Sequence, residues 1–326
     1  MGVDFTILGG GVAGLSMASE LTARGAAVQV VDPAGAPGDH ACSWWAGGML
    51  APECEGALAE PAVVRHGRAA ADWWAARGAD VIRQGTLVVA LGRDTSELRT
   101  FARRVPLAEP IDAAGIATLE PDLEGRFRQG LYLPSEAHLD PRATLAYLHS
   151  KLSETGTVVL AEAAPEGRLI DCRGLSARED LDDLRGVKGE MLVVHSPDVT
   201  LRRPVRLLHP RFPLYIVPRG DGIFMLGATQ IESGERSRAT VRSVMELLNA
   251  AYALHPAFGE AEIVEIGVDA RPAFPDNQPR IRQTAERVFA NGLFRHGFLL
   301  APALARMTAD LLLDGKTPED WYEDHR

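Results

Sequence analysis

Three glycines and an aspartate carry the first chemical signal in this chain. Gly9-x-Gly11-x-x-Gly14 follows the apolar run Phe5-Thr6-Ile7-Leu8 and opens a helix that the pattern carries to about Arg24. A second apolar run, Ala27 to Val31, ends in Asp32. This is a β-α-β unit with a dinucleotide fingerprint. Gly9 permits the tight turn, Gly11 lets backbone approach a pyrophosphate, and Gly14 lets the helix pack on the strand. The helix start then offers free N–H groups and a positive dipole end to phosphate. Asp32 is spaced to accept from a ribose 2′-OH, which disfavours a 2′-phosphate. FAD and NAD remain, and the fingerprint does not choose between them.

The surrounding composition narrows the class. The chain has 326 residues, 46% hydrophobic content and a formal charge of −10, with its 34 basic residues dispersed. That suits a globular enzyme and argues against a nucleic-acid partner. No apolar run is long enough to span a bilayer, and residues 1–20 lack a basic leader region, so no membrane or cleaved segment is expected. Cys42, Cys54 and Cys172 have no metal-site spacing and read as free thiols in a reducing, cytoplasmic setting.

The elements that must position this chemistry alternate along the chain. Residues 33–60 read as a long functional loop containing Trp44 and Trp45, and Leu58 to Ala79 as one Ala-rich helix. Strands are predicted at Thr86–Leu91, Gln129–Leu133, Thr157–Leu160 and Arg168–Asp171, with helices at Ser96–Val105 and Pro141–Glu154. Further strands are predicted at Gly189–His195, Phe212–Val217, Gly222–Gly227, Ala261–Ala270 and Arg287–Ala290, with helices at Arg238–Leu254 and Pro302–Leu313. This interleaving predicts an α/β fold with a discontinuous Rossmann-like domain (1–82, 134–186 and 275–326). An antiparallel α+β substrate domain (83–133 and 187–274) is inserted in it.

Three later stretches add specificity: Ala46-Gly47-Gly48-Met49-Leu50-Ala51-Pro52, Leu214-Tyr215-Ile216-Val217-Pro218-Arg219, and Gly292-Leu293-Phe294-Arg295-His296-Gly297-Phe298-Leu299-Leu300-Ala301-Pro302. With the fingerprint, they resemble the FAD-dependent glycine oxidases of thiamine biosynthesis, within the D-amino-acid oxidase group. Arg271-Pro272-Ala273-Phe274-Pro275-Asp276, expected just after a strand, is similar to that family's carboxylate-binding segment. The resemblance runs from about residue 4 to about 313. It implies two-electron oxidation of a small amino acid, glycine first, to an imino acid that feeds the thiazole ring of thiamine. Oxygen is the implied acceptor, reduced to H2O2. The implied FAD contacts are Gly9, Gly11, Val12, Ala13, Gly14, Asp32, Pro33, Cys42, Ser43, Gly47, Gly48, Met49, Ala163, Gly174, Leu293, Arg295, His296, Gly297, Phe298 and Leu299. No cysteine stands in the C-terminal motif, so the flavin is expected to be non-covalent. The pathway suggests a thiazole-forming partner, and the family a homo-oligomer.

Within that resemblance Arg271 is the expected anchor, because a guanidinium fork holds a carboxylate bidentately and fixes Cα. Tyr215 is expected on the same carboxylate, and Arg295 as a cation near substrate and flavin, where it would stabilise an anionic reduced ring. Met49 lines the pocket wall, or is plain core. Cys42 reads as a small buried residue rather than a redox thiol, His296 as a positional passenger, and Asp140 as a helix cap. No general base is assigned, since a desolvated pocket itself favours the neutral amine.

Two departures stand out. Between Thr157 and Gly174 the chain is shorter than the family, leaving Val159 to Ala164 to meet the adenosine end of FAD. Gln230 falls where better-known members carry an apolar residue, so a D-amino acid or an N-methyl amino acid such as sarcosine, and a dehydrogenase rather than an oxidase, stay open. A flavin-binding protein without turnover and an NAD-dependent dehydrogenase are the remaining alternatives.

Overall fold

Short apolar runs separated by glycine turns give the first strands and helices. The computed structural model describes residues 2–210 and 213–326. β1 (Phe5–Leu8), α1 (Val12–Ala23) and β2 (Val28–Val31) form the expected unit. After β3 (Met49–Leu50) come three short helices, α2 (Pro52–Glu55), α3 (Pro61–Gly67) and α4 (Ala70–Ala76). Next are β4 (Thr86–Ala90), α5 (Thr95–Arg104), β5 (Glu109–Asp112), α6 (Ala113–Leu119), β6 (Gln129–Leu133), β7 (Ala137–His138) and α7 (Pro141–Glu154). β8 (Val158–Leu160) and β9 (Arg168–Asp171) lead into β10 (Arg185–His195), β11 (Val205–Leu208), β12 (Leu214–Pro218), β13 (Ile223–Gly227) and β14 (Ile231–Glu232). α8 (Val241–Leu254), β15 (Glu262–Ala273), β16 (Arg280–Gln283), β17 (Arg287–Asn291), α9 (Gly297–Asp314) and β18 (Tyr322–Asp324) complete the order.

The first sheet runs β18-β16-β17-β9-β1-β2-β8 and is parallel except where β16 meets β17. β1 lies between β9 and β2, and Ile7 is fully buried. It shares one core with Leu15 and Leu21 of α1 and with Leu300 and Leu304 of α9. Burying apolar strands between covering helices is what a parallel sheet requires. The second sheet runs β14-β10-β13-β12-β11-β4-β6-β5, with β15 paired along β10. Its core joins Leu87, Val205, Ile216 and Leu226 to Leu247 and Leu254 of α8. The strands of the first sheet come from residues 5–31, 158–171 and 280–324, those of the second from 86–133 and 185–273.

Several local signals behave as expected. Asp140 accepts from the Ala143 N–H at 2.9 Å, and Pro141 opens α7 where no N–H is needed. Arg219-Gly220-Asp221-Gly222 turns β12 into β13, with Gly220 and Asp221 at positive φ.

Other boundaries differ, each for a local reason. The single helix expected over Leu58–Ala79 is two helices, broken after Gly67, a poor helix former. β10 begins at Arg185 and β15 runs to Ala273, so Arg271 lies inside a strand, opposite Val187, rather than after one. Pro272 is tolerated there because, among the described residues, β15 pairs only with β10. α8 begins at Val241, where Thr240 caps it by accepting from Ser243 at 3.2 Å. α9 begins at Gly297, not Pro302, which sits inside it. The expected strand start at Phe212 lies outside the described residues. β3, α2, β5, α6, β7, β11, β14, β16 and β18 are not expected from the sequence; each is short or carries charged residues that blur its period.

Candidate active site

The two sheets face a common cavity of about 1210 Å³. Its first half is built on the fingerprint. Gly9 takes φ +98, and a Cβ there would fall 2.8 Å from the Cys172 carbonyl oxygen, so only glycine fits the turn. Gly14 does not reach the cavity: it packs under the turn, where a Cβ would stand 1.8 Å from the Gly9 oxygen. Gly11, Val12 and Ala13 line the wall where α1 begins. The Val12 N–H is satisfied by Ser43 Oγ at 3.1 Å. Asp32 is held in place, accepting from the Gly10 N–H at 2.6 Å and the Ala34 N–H at 2.9 Å, and lines the cavity with Pro33.

The 41–51 loop continues the wall through Cys42, Ser43, Gly47, Gly48 and Met49. Arg219 fixes this loop. Its guanidinium donates to the carbonyls of Leu139 (2.8 Å), Gly47 (2.9 Å) and Ala46 (3.2 Å), and burial pulls it down to about 10. That gives the arginine of the Leu214–Arg219 motif a structural task. Burial pushes the Cys42 thiol up to about 12, which fits a small inert wall residue.

The start of α9 closes the other side: Leu293, Arg295, His296, Gly297, Phe298 and Leu299 all line the cavity. The helix therefore presents its N-terminal turn there, five residues earlier than the sequence suggested. Gly174 also lines it, with its carbonyl accepting from the Asn291 side chain at 2.9 Å. Ala163 does not; it lies beyond the cavity, and the side chain of Val159 lies outside what is described.

On the second sheet, Arg271, Tyr215 and Gln230 converge on the same space. The Arg271 guanidinium donates to the Thr229 carbonyl at 3.1 Å, and among the described residues it makes no salt bridge. Burial pulls it below the usual arginine range. An arginine kept short of counter-charge in a cavity is arranged to receive an anion. Gly189 makes room: a Cβ there would fall 2.3 Å from the guanidinium. Tyr215 is flanked by Gly47 and Gly227, and burial raises its phenol. Gln230 is the exposed member of the group.

Arg295 is not free. It shares Glu55 Oε2 with His296, at 2.5 and 2.9 Å, while Arg206 bonds the other oxygen. His296 is thus bonded to the buried Glu55, beside the half-buried Arg206 and the more exposed Arg295, rather than a passenger. Sequence reasoning missed Glu55, Arg206 and Gly189. Glu55 stands only six residues after Met49, but nothing marks it apart from Glu53. Arg206 lies in an unexpected strand, and the reason for Gly189 is a neighbour across the β10–β15 ladder.

A dinucleotide-length cofactor fits these residues. The glycine turn, the anchored Asp32 and the starts of α1 and α9 open on one continuous cavity. His296 Nδ1 and Arg206 Nε are buried beside it with no partner among the described residues. No helix among them is long and apolar enough to cross a membrane.

A dinucleotide sheet joined across one cavity to an arginine-bearing sheet defines a nucleotide-dependent oxidoreductase. The chain belongs to the FAD dependent oxidoreductase family, whose sequence profile matches residues 4–311. It is 53% identical over 311 residues to a Rhizobium etli protein named as the thiamine biosynthesis oxidoreductase ThiO, covering 94% of this chain and 95% of that one. A bifunctional ThiO/ThiG protein of Trichormus variabilis is 28% identical over 352 residues, 96% of this chain but 53% of its own length. A crystal structure of glycine oxidase from Geobacillus kaustophilus has the same fold, with TM-score 0.79, 23% identity and coverage of 96% and 95%.

Proposed function

We propose that this chain oxidises a small amino acid, glycine first, to the imino acid with FAD, passing the electrons to O2 as H2O2. The observation that carries the reading is Arg271: a half-buried guanidinium without a carboxylate partner among the described residues, in the cavity that holds the fingerprint. An amino-acid carboxylate supplies the missing charge. The names borne by relatives support the same reading.

FAD accepts two electrons as a hydride equivalent from carbon when bound. The chain's own residues do the rest. We assign the fingerprint, Asp32, Pro33, the 42–49 loop, Gly174 and the 293–299 turn to holding FAD without a covalent bond. The first sheet with its helices is then the cofactor domain and the second the substrate domain. Arg271 grips the carboxylate and Tyr215 adds its phenol, fixing the direction in which Cα faces. Arg271 and the net positive Arg206–Arg295–Glu55 cluster disfavour a second positive charge nearby. They favour the neutral amine from which hydride can leave, so no general base is required. The same cations suit an anionic reduced ring. The fusion in Trichormus variabilis supports a partner enzyme that takes the imine toward the thiazole of thiamine.

The test is the visible spectrum of the purified holoenzyme, with glycine added under anaerobic conditions. Bleaching of the flavin bands, then oxygen uptake and peroxide on admitting air, is expected. Bleaching with sarcosine or a D-amino acid but not glycine would move the substrate; no bleaching with any of them would end the reading.

A further inference from the structure

We infer that Glu55 is a specificity-determining residue, which occupies the cationic groups that would otherwise receive a second anionic group and so restricts the cavity to amino acids with one carboxylate. This rests on the proposal that Arg271 takes the substrate carboxylate.

The cavity wall carries three guanidinium groups that bear on the argument: Arg271, Arg206 and Arg295. Only Arg271 lacks a carboxylate among the described residues. The other two converge on Glu55 from separate parts of the fold. Glu55 ends α2, Arg206 stands in β11 directly opposite Tyr215, and Arg295 precedes α9. One carboxylate oxygen takes Arg206, and the other takes Arg295 at 2.5 Å and His296 Nε2 at 2.9 Å. Burial alone would raise the Glu55 carboxyl, but Arg295 and Arg206 hold it well below the usual range.

A chain that needed these two arginines only as packing would not leave them on a cavity wall. A chain that used both for substrate would not cover them with a carboxylate. Glu55 occupies the two guanidinium groups that could take a second substrate carboxylate, and its own charge repels one. Like charges placed side by side disfavour a ligand that must bring the second one. Without the Glu55 charge, two guanidinium groups beside Tyr215 would be unopposed and the cavity would suit a dicarboxylate. Arg206 and Arg295 together exceed Glu55 by one charge, which leaves the cationic character invoked above.

The test compares two ethers that cannot lose hydride from an amine-bearing carbon, methoxyacetate with one carboxylate and diglycolate with two. Dissociation constants are read from the perturbed flavin absorbance of the holoenzyme, so turnover is not needed. Wild type is expected to bind methoxyacetate at least about 10-fold more tightly. Glu55→Gln is expected to move the ratio toward diglycolate by roughly 10-fold or more, while Glu55→Asp, which keeps the charge, retains the wild-type preference. Should Glu55→Gln not fold, Arg206→Gln leaves Glu55 less neutralised and is expected to move the ratio further against diglycolate. Equal binding of the two ethers by wild type, or a ratio unchanged in whichever variant folds, would overturn the inference. Failure of wild type to oxidise any amino acid, with the ratios as expected, would instead remove the oxidase reading and leave the charge selectivity standing.

Discussion

Trp74 donates its indole N–H to the backbone carbonyl of Phe298 at 2.8 Å. In an unbroken helix that carbonyl would accept from the residue four positions on, but this is Pro302, which has no N–H. The tryptophan supplies the missing donor. It also keeps the first turn of α9, and with it the cavity wall from Gly297 to Leu299, in helical geometry. Trp74→Phe keeps most of the packing and leaves a buried acceptor unpaired, which is expected to cost about 1–3 kcal/mol. Urea unfolding of the two proteins measures it; a midpoint unchanged in the variant would show that the bond contributes nothing.

Arg271 and Gly189 form a second such pair. Removing the guanidinium with Arg271→Met is expected to lower kcat/KM for glycine by about 2–5 kcal/mol of transition-state binding. Gly189→Ala leaves the arginine in the sequence but places a Cβ where the guanidinium lies, 2.3 Å away. It is expected to raise KM in the same direction by a smaller factor. Steady-state kinetics with glycine decide both, and wild-type KM in Gly189→Ala would show that Arg271 does not hold the substrate where the structure has it.

The three cysteines should be silent in the folded protein. Burial pushes the Cys42 thiol up to about 12 and raises those of Cys54 and Cys172 as well. Thiolate is the reactive form. A disulfide-exchange reagent at pH 8 is therefore expected to react promptly with none of them, and with all three after denaturation. Prompt reaction of Cys42 in the folded enzyme would restore it as a candidate redox thiol.

His138 gives stability a pH dependence. Burial, then the Arg219 cation, lowers its pKa to about 4 from 6.5. The unfolded chain therefore binds a proton between these values that the folded chain does not. Stability from this residue is complete above 6.5 and is lost as pH falls toward 4, by about 2 kcal/mol at pH 5. His138→Gln should flatten that limb of a urea-midpoint curve between pH 5 and 8. A variant as acid-sensitive as wild type would assign the limb to other groups.

How far the sequence could be read depended on whether a residue's reason lies near it in the chain. The Gly9–Gly14 turn, Asp32 and the Asp140 cap are local devices, and each stands where its neighbours in sequence place it. Met49, Tyr215, Arg271 and Arg295 were legible through motif resemblance, and all four line one cavity. What stayed hidden was set across space. Glu55 is unremarkable until Arg206 and Arg295 arrive from two other elements, and Gly189 has no signal without its partner strand. The start of α9 is misread because Pro302 reads as a helix opening, and the carbonyl it leaves without a donor is met by Trp74, 228 residues earlier.

The strand order of the first sheet also sets a timetable. Phe5 stands opposite Val28 on one side and Arg168 on the other, so β1 gains its second neighbour only when the chain is 163 residues longer (168 minus 5). At cellular synthesis rates that is a delay of roughly 8–33 s. Until then Gly9 has no Cys172 carbonyl to lie against, and the phosphate turn is unsupported on one flank. The turn therefore gains its second flank only from the middle of the chain, and the amino-terminal unit is completed by residues far from it in sequence.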